Sequence, residues 1–276
     1  MQIVISGASL GIGEYLTKSL VGEGHQVWGL ARSAAPLKAL KKELGGPFFY
    51  SPCNVSSYEQ LSKARAAIAE EWQTIDAIIC CAGIQGAMGD AMKNDPAEWS
   101  HTVRVNLDGT YYTIHALYGL LGTTSSRKKV VCFSGGGATS PRTNFSAYAV
   151  SKTGVVRLVE NLAVEWKGQN IDINAIAPGA INTRMTEQVI ARGPEIIGEE
   201  YHKAVQQKES GGGSLEKVLQ TVRYFLSSES DGISGKLISA VWDSWHEFES
   251  RQQDIQNSDI YTLRRIVPKD RGFDWE

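Results

Sequence analysis

Tyr148 and Lys152 stand four residues apart in Ser146-Ala147-Tyr148-Ala149-Val150-Ser151-Lys152. On a helix, positions four apart share a face. A free phenol, with a pKa of about 10, is a poor base at neutral pH. A neighbouring ammonium and an oxidised nicotinamide both favour the phenolate and lower that value. Such a pair can give a proton to a developing alkoxide or take one from an alcohol. A second constellation opens the chain. Ile3-Val4-Ile5-Ser6 runs into Gly7-Ala8-Ser9-Leu10-Gly11-Ile12-Gly13, and a helical pattern follows. Strand, glycine turn and helix start together make a dinucleotide-binding context, with helix N–H groups facing the phosphates. Gly7 allows a tight turn, Gly11 lets backbone approach a pyrophosphate, and Gly13 lets helix and strand pack closely. Hydride transfer to a carbonyl needs both parts, a placed dinucleotide and an acid for the oxygen.

The elements around these residues alternate. Strands are predicted at Gln2 to Ser6, Gln26 to Leu30, Phe48 to Ser51, Ile75 to Cys80, Val130 to Ser134, Ile171 to Ile176 and Lys236 to Ala240. Between them run helical periodicities. Ile12, Leu16 and Leu20 share one face, stopped by Gly22 and Gly24. Leu61, Ala64, Ile68 and Trp72 form another. Short apolar strands alternating with amphipathic helices predict an α/β fold, a mainly parallel sheet with helices on both faces. No internal repeat or break in composition divides residues 1–243, read as one domain.

Composition narrows the function classes. The chain has 276 residues, 42% of them apolar and 21% charged, enough to bury a large core. The formal net charge is −2, without the basic excess that non-specific nucleic-acid binding requires. No apolar run reaches the roughly 18 residues of a membrane helix, and no leader pattern precedes the first strand. Cys53, Cys80, Cys81 and Cys132 lack CxxC spacing and lie in or beside apolar runs. They read as reduced, buried thiols of a cytoplasmic protein, with no metal set.

Two segments depart from the alternation. Residues 184–213 are polar, helical in tendency and end at Gly211-Gly212-Gly213, a pattern that suits either a mobile lid or a surface excursion. Residues 244–276 hold Trp245, Phe248, Phe273 and Trp275, too many aromatics for a disordered tail. This extension is expected to pack on its own domain or on a neighbouring subunit. Its cations, with Arg184, Arg192, His202 and Lys203 of the lid, could instead close over an anionic substrate.

The spacing GxxxGxG, followed in order by the motifs below, resembles the short-chain dehydrogenase/reductase family over roughly residues 2–241. The resemblance implies a Rossmann-like, doubly wound seven-stranded sheet. It makes Gly7, Ser9, Leu10, Gly11, Ile12 and Gly13 the pyrophosphate loop. Where an acidic residue would bind a ribose 2′-hydroxyl stands Ala31, with Arg32 next, a cation suited to a 2′-phosphate. NADP(H) is therefore expected over NAD(H), although Leu10 withholds a second cation. Asn54-Val55 stands for the family's Asp-Val against the adenine, with the Asn54 carbonyl as acceptor. Cys80-Cys81-Ala82-Gly83 stands for Asn-Asn-Ala-Gly, with Ala82 and Gly83 beside the adenine ribose. Tyr148 and Lys152 become the catalytic pair, Lys152 also reaching the nicotinamide ribose, and Asn106 the residue of a water relay. The family's serine falls on Gly135 by gap-free alignment; Ser134 is expected to replace it through a bulge, ahead of Ser140 and Ser146. Pro178-Gly179, the Ile181 backbone and the Thr183 hydroxyl are expected at the nicotinamide carboxamide.

The expected function is an NADP(H)-dependent exchange of a secondary alcohol and a ketone. The substrate would be a small carbonyl or alcohol, and the protein a homodimer or homotetramer formed through residues 98–120 and 145–167. A sugar or nucleotide-linked sugar is an alternative substrate, and a silent NADP sensor or scaffold an alternative class.

Overall fold

A computed structural model describes residues 1–122 and 126–275. Glu276, the last residue of the expected extension, lies outside them. The strands are β1 (Gln2–Ser6), β2 (Gln26–Ala31), β3 (Phe48–Pro52), β4 (Ala77–Cys80), β5 (Lys128–Phe133), β6 (Ile171–Ala177) and β7 (Leu237–Ser239). All seven pair in parallel, in the order β3-β2-β1-β4-β5-β6-β7. The helices are α1 (Gly11–Gly22), α2 (Ala34–Leu44), α3 (Tyr58–Glu71), α4 (Pro96–Val103), α5 (Gly109–Leu121), α6 (Ser146–Glu165), α7 (Arg184–Arg192), α8 (Pro194–Ile197), α9 (Glu199–Glu209), α10 (Leu215–Leu226) and α11 (Gln252–Gln256).

Strand alternation divides the core into two layers. Ile3, Ile5, Ile79 and Val131 face one side with Leu16, Leu20, Leu37, Val218 and Val222, covered by α1, α2 and α10. Val4, Ile78 and Val130 face the other with Leu61, Ile68, Ile114, Leu117 and Val156, covered by α3, α5 and α6. Both faces are buried, so the strand centres are apolar in consecutive positions rather than every second one, as in Ile3-Val4-Ile5 and Ala77-Ile78-Ile79. At the amino ends of the central strands, buried Lys128 and Lys129 pair with Asp76 and Asp172 at 2.8 and 3.0 Å.

The chain reverses direction across the sheet between β1 and β4. That switch point opens a crevice beyond the carboxyl ends of the strands, the place where such sheets bind ligands. The expected lid folds as α7, α8 and α9, and its glycine run is docked: the Gly213 amide donates to the Ala180 carbonyl at 2.7 Å.

The extension packs on the chain's own domain. Phe248 and Ile255 enter the first core layer. The Leu237 amide on β7 donates to the Tyr261 carbonyl, and Arg157 on α6 donates to the Leu263 carbonyl. Arg264 is paired with Asp259 and Asp270. The tail's contacts run to β7, α10 and the distal half of α6, and its Arg264 is engaged within the extension itself.

Candidate active site

A cleft of about 310 Å³ follows the carboxyl edge of β1, β2 and β4. Gly7, Ser9, Leu10, Gly11, Ile12 and Gly13 line it, with Arg32, Asn54, Val55, Ala82, Gly83 and Thr183. Leu10, at the N-cap of α1, makes no side-chain capping bond, so the first N–H groups of the helix stay open to a ligand. Gly7 has φ +75°, and its missing Cβ would lie 2.7 Å from the Ala82 nitrogen. A Cβ on Gly13 would overlap the Gly7 carbonyl. Hence the two loops converge only with glycine at these positions. A loop of bare backbone, an uncapped helix start and an exposed Arg32 at the far end fit a dinucleotide.

The adenine end differs in one detail. The Asn54 side-chain carbonyl accepts from both the amide and the hydroxyl of Ser56, at 3.2 and 2.9 Å. Both lone pairs are taken, so Asn54 offers its amide NH₂ as a donor instead of the expected acceptor. Cys81 also departs from expectation: it is half-buried and lines the cleft. Burial nevertheless pushes its thiol up to about 12, which makes it inert.

At the inner end, Gly83 separates the cleft from the polar machinery. Its missing Cβ would lie 3.3 Å from Asn106 Oδ1 and 3.5 Å from Lys152 Nζ. Asn106 is fully buried in a π-helical turn, Arg104–Asp108, joining α4 to α5. Its Oδ1 accepts from the Ile84 amide at 2.8 Å, and its Nδ2 donates to the Ile84 carbonyl and Ser151 Oγ, both at 3.0 Å. A wide turn that points a polar side chain inward is a recurrent device at functional sites.

Tyr148 and Lys152 lie on one face of α6. Lys152 Nζ is 5.7 Å from the Tyr148 ring centre and donates to the Phe133 carbonyl at 2.8 Å. Burial lowers its pKa to about 8. Tyr148 is 8% exposed, and no hydrogen bond among the described residues uses its Oη. Burial raises its pKa, while the Arg142 guanidinium pulls it down. The phenol is therefore held as a proton donor.

Ser134 does not reach this phenol by a hydrogen bond. It is 3% exposed, and its Oγ donates back to the Lys152 carbonyl at 3.3 Å. The residue beside Tyr148 Oη is Gly135, where a Cβ would overlap the oxygen. The β5 end is tied straight onto the sheet, with the Ser134 amide bonded to the Ile176 carbonyl, and no bulge brings the hydroxyl round.

Pro178, Gly179 and Ile181 do not line the cleft. The Ile181 amide donates to the Gly179 carbonyl and its carbonyl accepts from Thr186 Oγ1, so its backbone is satisfied internally. Thr183 lines the cleft, but its Oγ1 accepts from the Met185 amide as the N-cap of α7 and keeps only its own proton to donate.

Two features were not legible in the motifs. The lid lies over the phenol: Val189, Ile197 and Ala204 share an apolar cluster with Phe145, Tyr148 and Met88. Arg142, six residues before Tyr148, places its guanidinium carbon 5.6 Å from that ring's centre. No local pattern singles it out.

Comparison with known proteins agrees with this geometry. The family model for short chain dehydrogenases matches residues 1–193. A galactitol 2-dehydrogenase (L-tagatose-forming) of Cereibacter sphaeroides is 31% identical over 195 residues, 70% of this chain and 76% of that protein. A 3-oxoacyl-(acyl-carrier-protein) reductase of Thermotoga maritima is 30% identical over 242 residues, 85% of this chain and 94% of that protein. The solved structure of a levodione reductase superposes with a TM-score of 0.77 at 26% identity, covering 86% of this chain and 95% of that one. The chain belongs to the short-chain dehydrogenase family. It is an NAD(P)-dependent oxidoreductase with a Rossmann-like fold, acting on a small molecule. Among the described residues no helix is long and apolar enough to cross a membrane, and no group of His, Cys, Asp or Glu could hold a metal.

Proposed function

We propose that the protein interconverts a secondary alcohol and a ketone with NADP(H), Tyr148 acting as general acid and base. The observation that carries this reading is a buried phenol whose oxygen has no hydrogen bond among the described residues, on the same helix face as Lys152, whose Nζ lies behind cleft-lining Gly83. The bound nicotinamide supplies or accepts the hydride. The chain's own residues handle the proton. In reduction, Tyr148 Oη–H donates to the carbonyl oxygen as negative charge develops on it. Lys152, its pKa lowered by burial to about 8, stands on the same helix face as the phenol and behind Gly83 beside Asn106, where it can orient the bound nicotinamide and take part in the proton's path. The side chains of α7, α8 and α9 exclude water from the phenol.

Support for NADP(H) comes from Arg32, exposed at the cleft and without an ion pair among the described residues. Likeness to galactitol 2-dehydrogenase favours a sugar alcohol as a second substrate reading. Exposed Tyr111, Tyr118, Val150 and Val164 on α5 and α6 support self-association as a homodimer or homotetramer. The four free cysteines support a reducing, cytoplasmic setting. The test is a screen of NADPH oxidation over neutral ketones, sugars and oxo acids. Turnover of at least one carbonyl is expected. NADPH binding without any turnover would instead favour a sensor.

A further inference from the structure

The phenol has a cationic neighbour on the lid side. The Arg142 guanidinium carbon is 3.8 Å from the Phe145 ring centre and 5.6 Å from that of Tyr148. Its Nε donates to Glu200 Oε2 on α9 at 2.8 Å, and Glu200 Oε1 accepts from Lys203 at 2.8 Å. The Arg142 and Glu200 side chains are 20% and 17% exposed, so water screens them weakly. Two cations on one carboxylate leave the trio with one net positive charge. Among the described residues no hydrogen bond uses Nη1 or Nη2 of Arg142. These are the atoms that take a carboxylate in a two-pronged pair.

We infer that Arg142 recognises a carboxylate of the substrate, so that the carbonyl compounds reduced here are short oxo acids and the alcohols oxidised are hydroxy acids. This rests on the reading of Tyr148 as the proton donor. A guanidinium beside the phenol ring suits a carboxylate only a few bonds from the reacting carbonyl. The two unused Nη groups of Arg142 match the two oxygens of one carboxylate. In reduction the carbonyl carbon gains one hydride, its oxygen gains one proton, NADPH becomes NADP⁺, and the carboxylate is unchanged. Gly135 makes room for this arrangement, because it leaves the phenol oxygen as the side-chain donor facing the carbonyl from the α6 side.

The experiment uses 2- and 3-hydroxybutyrate as acidic probes and 2-butanol as the neutral one, with NADP⁺ and the full chain. Arg142→Met should lower kcat/KM for the acid relative to 2-butanol by about tenfold or more, chiefly through KM. Arg142→Lys should recover part of that ratio. Glu200→Ala removes the lid contact but leaves the guanidinium, and it should keep the preference for the acid. A ratio unmoved by Arg142→Met, or lowered equally by Glu200→Ala, would overturn the inference and make the arginine a lid latch. Binding is read separately as the rise in Tm that each hydroxybutyrate gives the NADP⁺-loaded protein. That rise should vanish in Arg142→Met, and its absence from the wild type would also refute carboxylate recognition. Turnover of 2-butanol alone would sink the acid preference while leaving the oxidoreductase reading intact. Binding of acid without any turnover would do the reverse.

Discussion

Replacing Tyr148 by Phe removes one oxygen and nothing else, and the structure sets what should follow. General acid catalysis contributes on the order of 10² to 10⁴ in rate. The middle of that range applies, with Ser134 Oγ turned to the Lys152 carbonyl and no side chain on Gly135 to share the role. A loss of about 10³ in kcat is therefore expected, roughly 4 kcal/mol at 1.36 kcal/mol per decade. Stability should move differently. Tyr148 Oη makes no hydrogen bond among the described residues, so its deletion strands no partner, and removing a buried hydroxyl of this kind is worth only about 0 to +1 kcal/mol. Tm should hold or rise by a few degrees, given roughly 2–4 °C per kcal/mol at this chain length. Affinity for NADPH, read by fluorescence quenching, should stay within about twofold. Steady-state NADPH oxidation, thermal unfolding and cofactor titration on one preparation separate the three effects. A loss of activity below tenfold would show that the proton comes from elsewhere. A fall in Tm beyond 5 °C would show that the phenol holds the lid rather than serving the substrate.

Arg32→Ala should weaken NADPH binding by about tenfold and leave NADH unchanged by calorimetry, since a charged hydrogen bond is worth roughly 1.5–3 kcal/mol; equal effects on both would remove its role at the 2′-phosphate. Asn106→Ala deletes two bonds to the part-buried Ile84 backbone and one to buried Ser151 Oγ, so it should cost about 1–3 kcal/mol and lower Tm together with kcat. Lys152→Met tests the buried ammonium by pH. Its folded pKa, about 8, lies below the ordinary 10.5, so between those values the unfolded chain binds more protons and wild-type stability rises with pH. The variant should therefore gain up to about 3 kcal/mol on the wild type below pH 8, an advantage that fades by pH 10.5, in denaturant titrations at each pH; a difference independent of pH would mean that Lys152 is not desolvated.

What the chain reveals without coordinates depends on how local each cause is. All seven strands fell where apolar runs predicted them, within a few residues at each end, because a strand buried on both faces is written in consecutive residues. The glycine loop was legible for the same reason: strand, turn and helix start are contiguous, and the partner atoms of Gly13 are those of Gly7. The misread positions depend on partners remote in sequence or on which way a side chain turns. Ser134 and Gly135 are adjacent in sequence, yet only the tie of β5 to the Ile176 carbonyl decides which of them faces Tyr148. The Ile181 backbone could serve a ligand only if Gly179 and Thr186 left it free, and they do not.

The same distinction applies to the phenol. A Tyr and a Lys four apart on a helix suggest a lowered pKa when only their mutual attraction is counted. The lid residues Val189 and Ile197 come from 41 and 49 positions further along the chain and add a desolvation that no helical spacing carries. Desolvation opposes charge on both groups at once, lifting the phenol and lowering the ammonium, so the pair rests closer to neutral than the motif implies. Arg142 lies between that pair and the lid, its guanidinium carbon 5.6 Å from the Tyr148 ring centre and its Nε on Glu200 of α9, so the cation that an incoming anion would meet is placed by the same remote segment that buries the phenol.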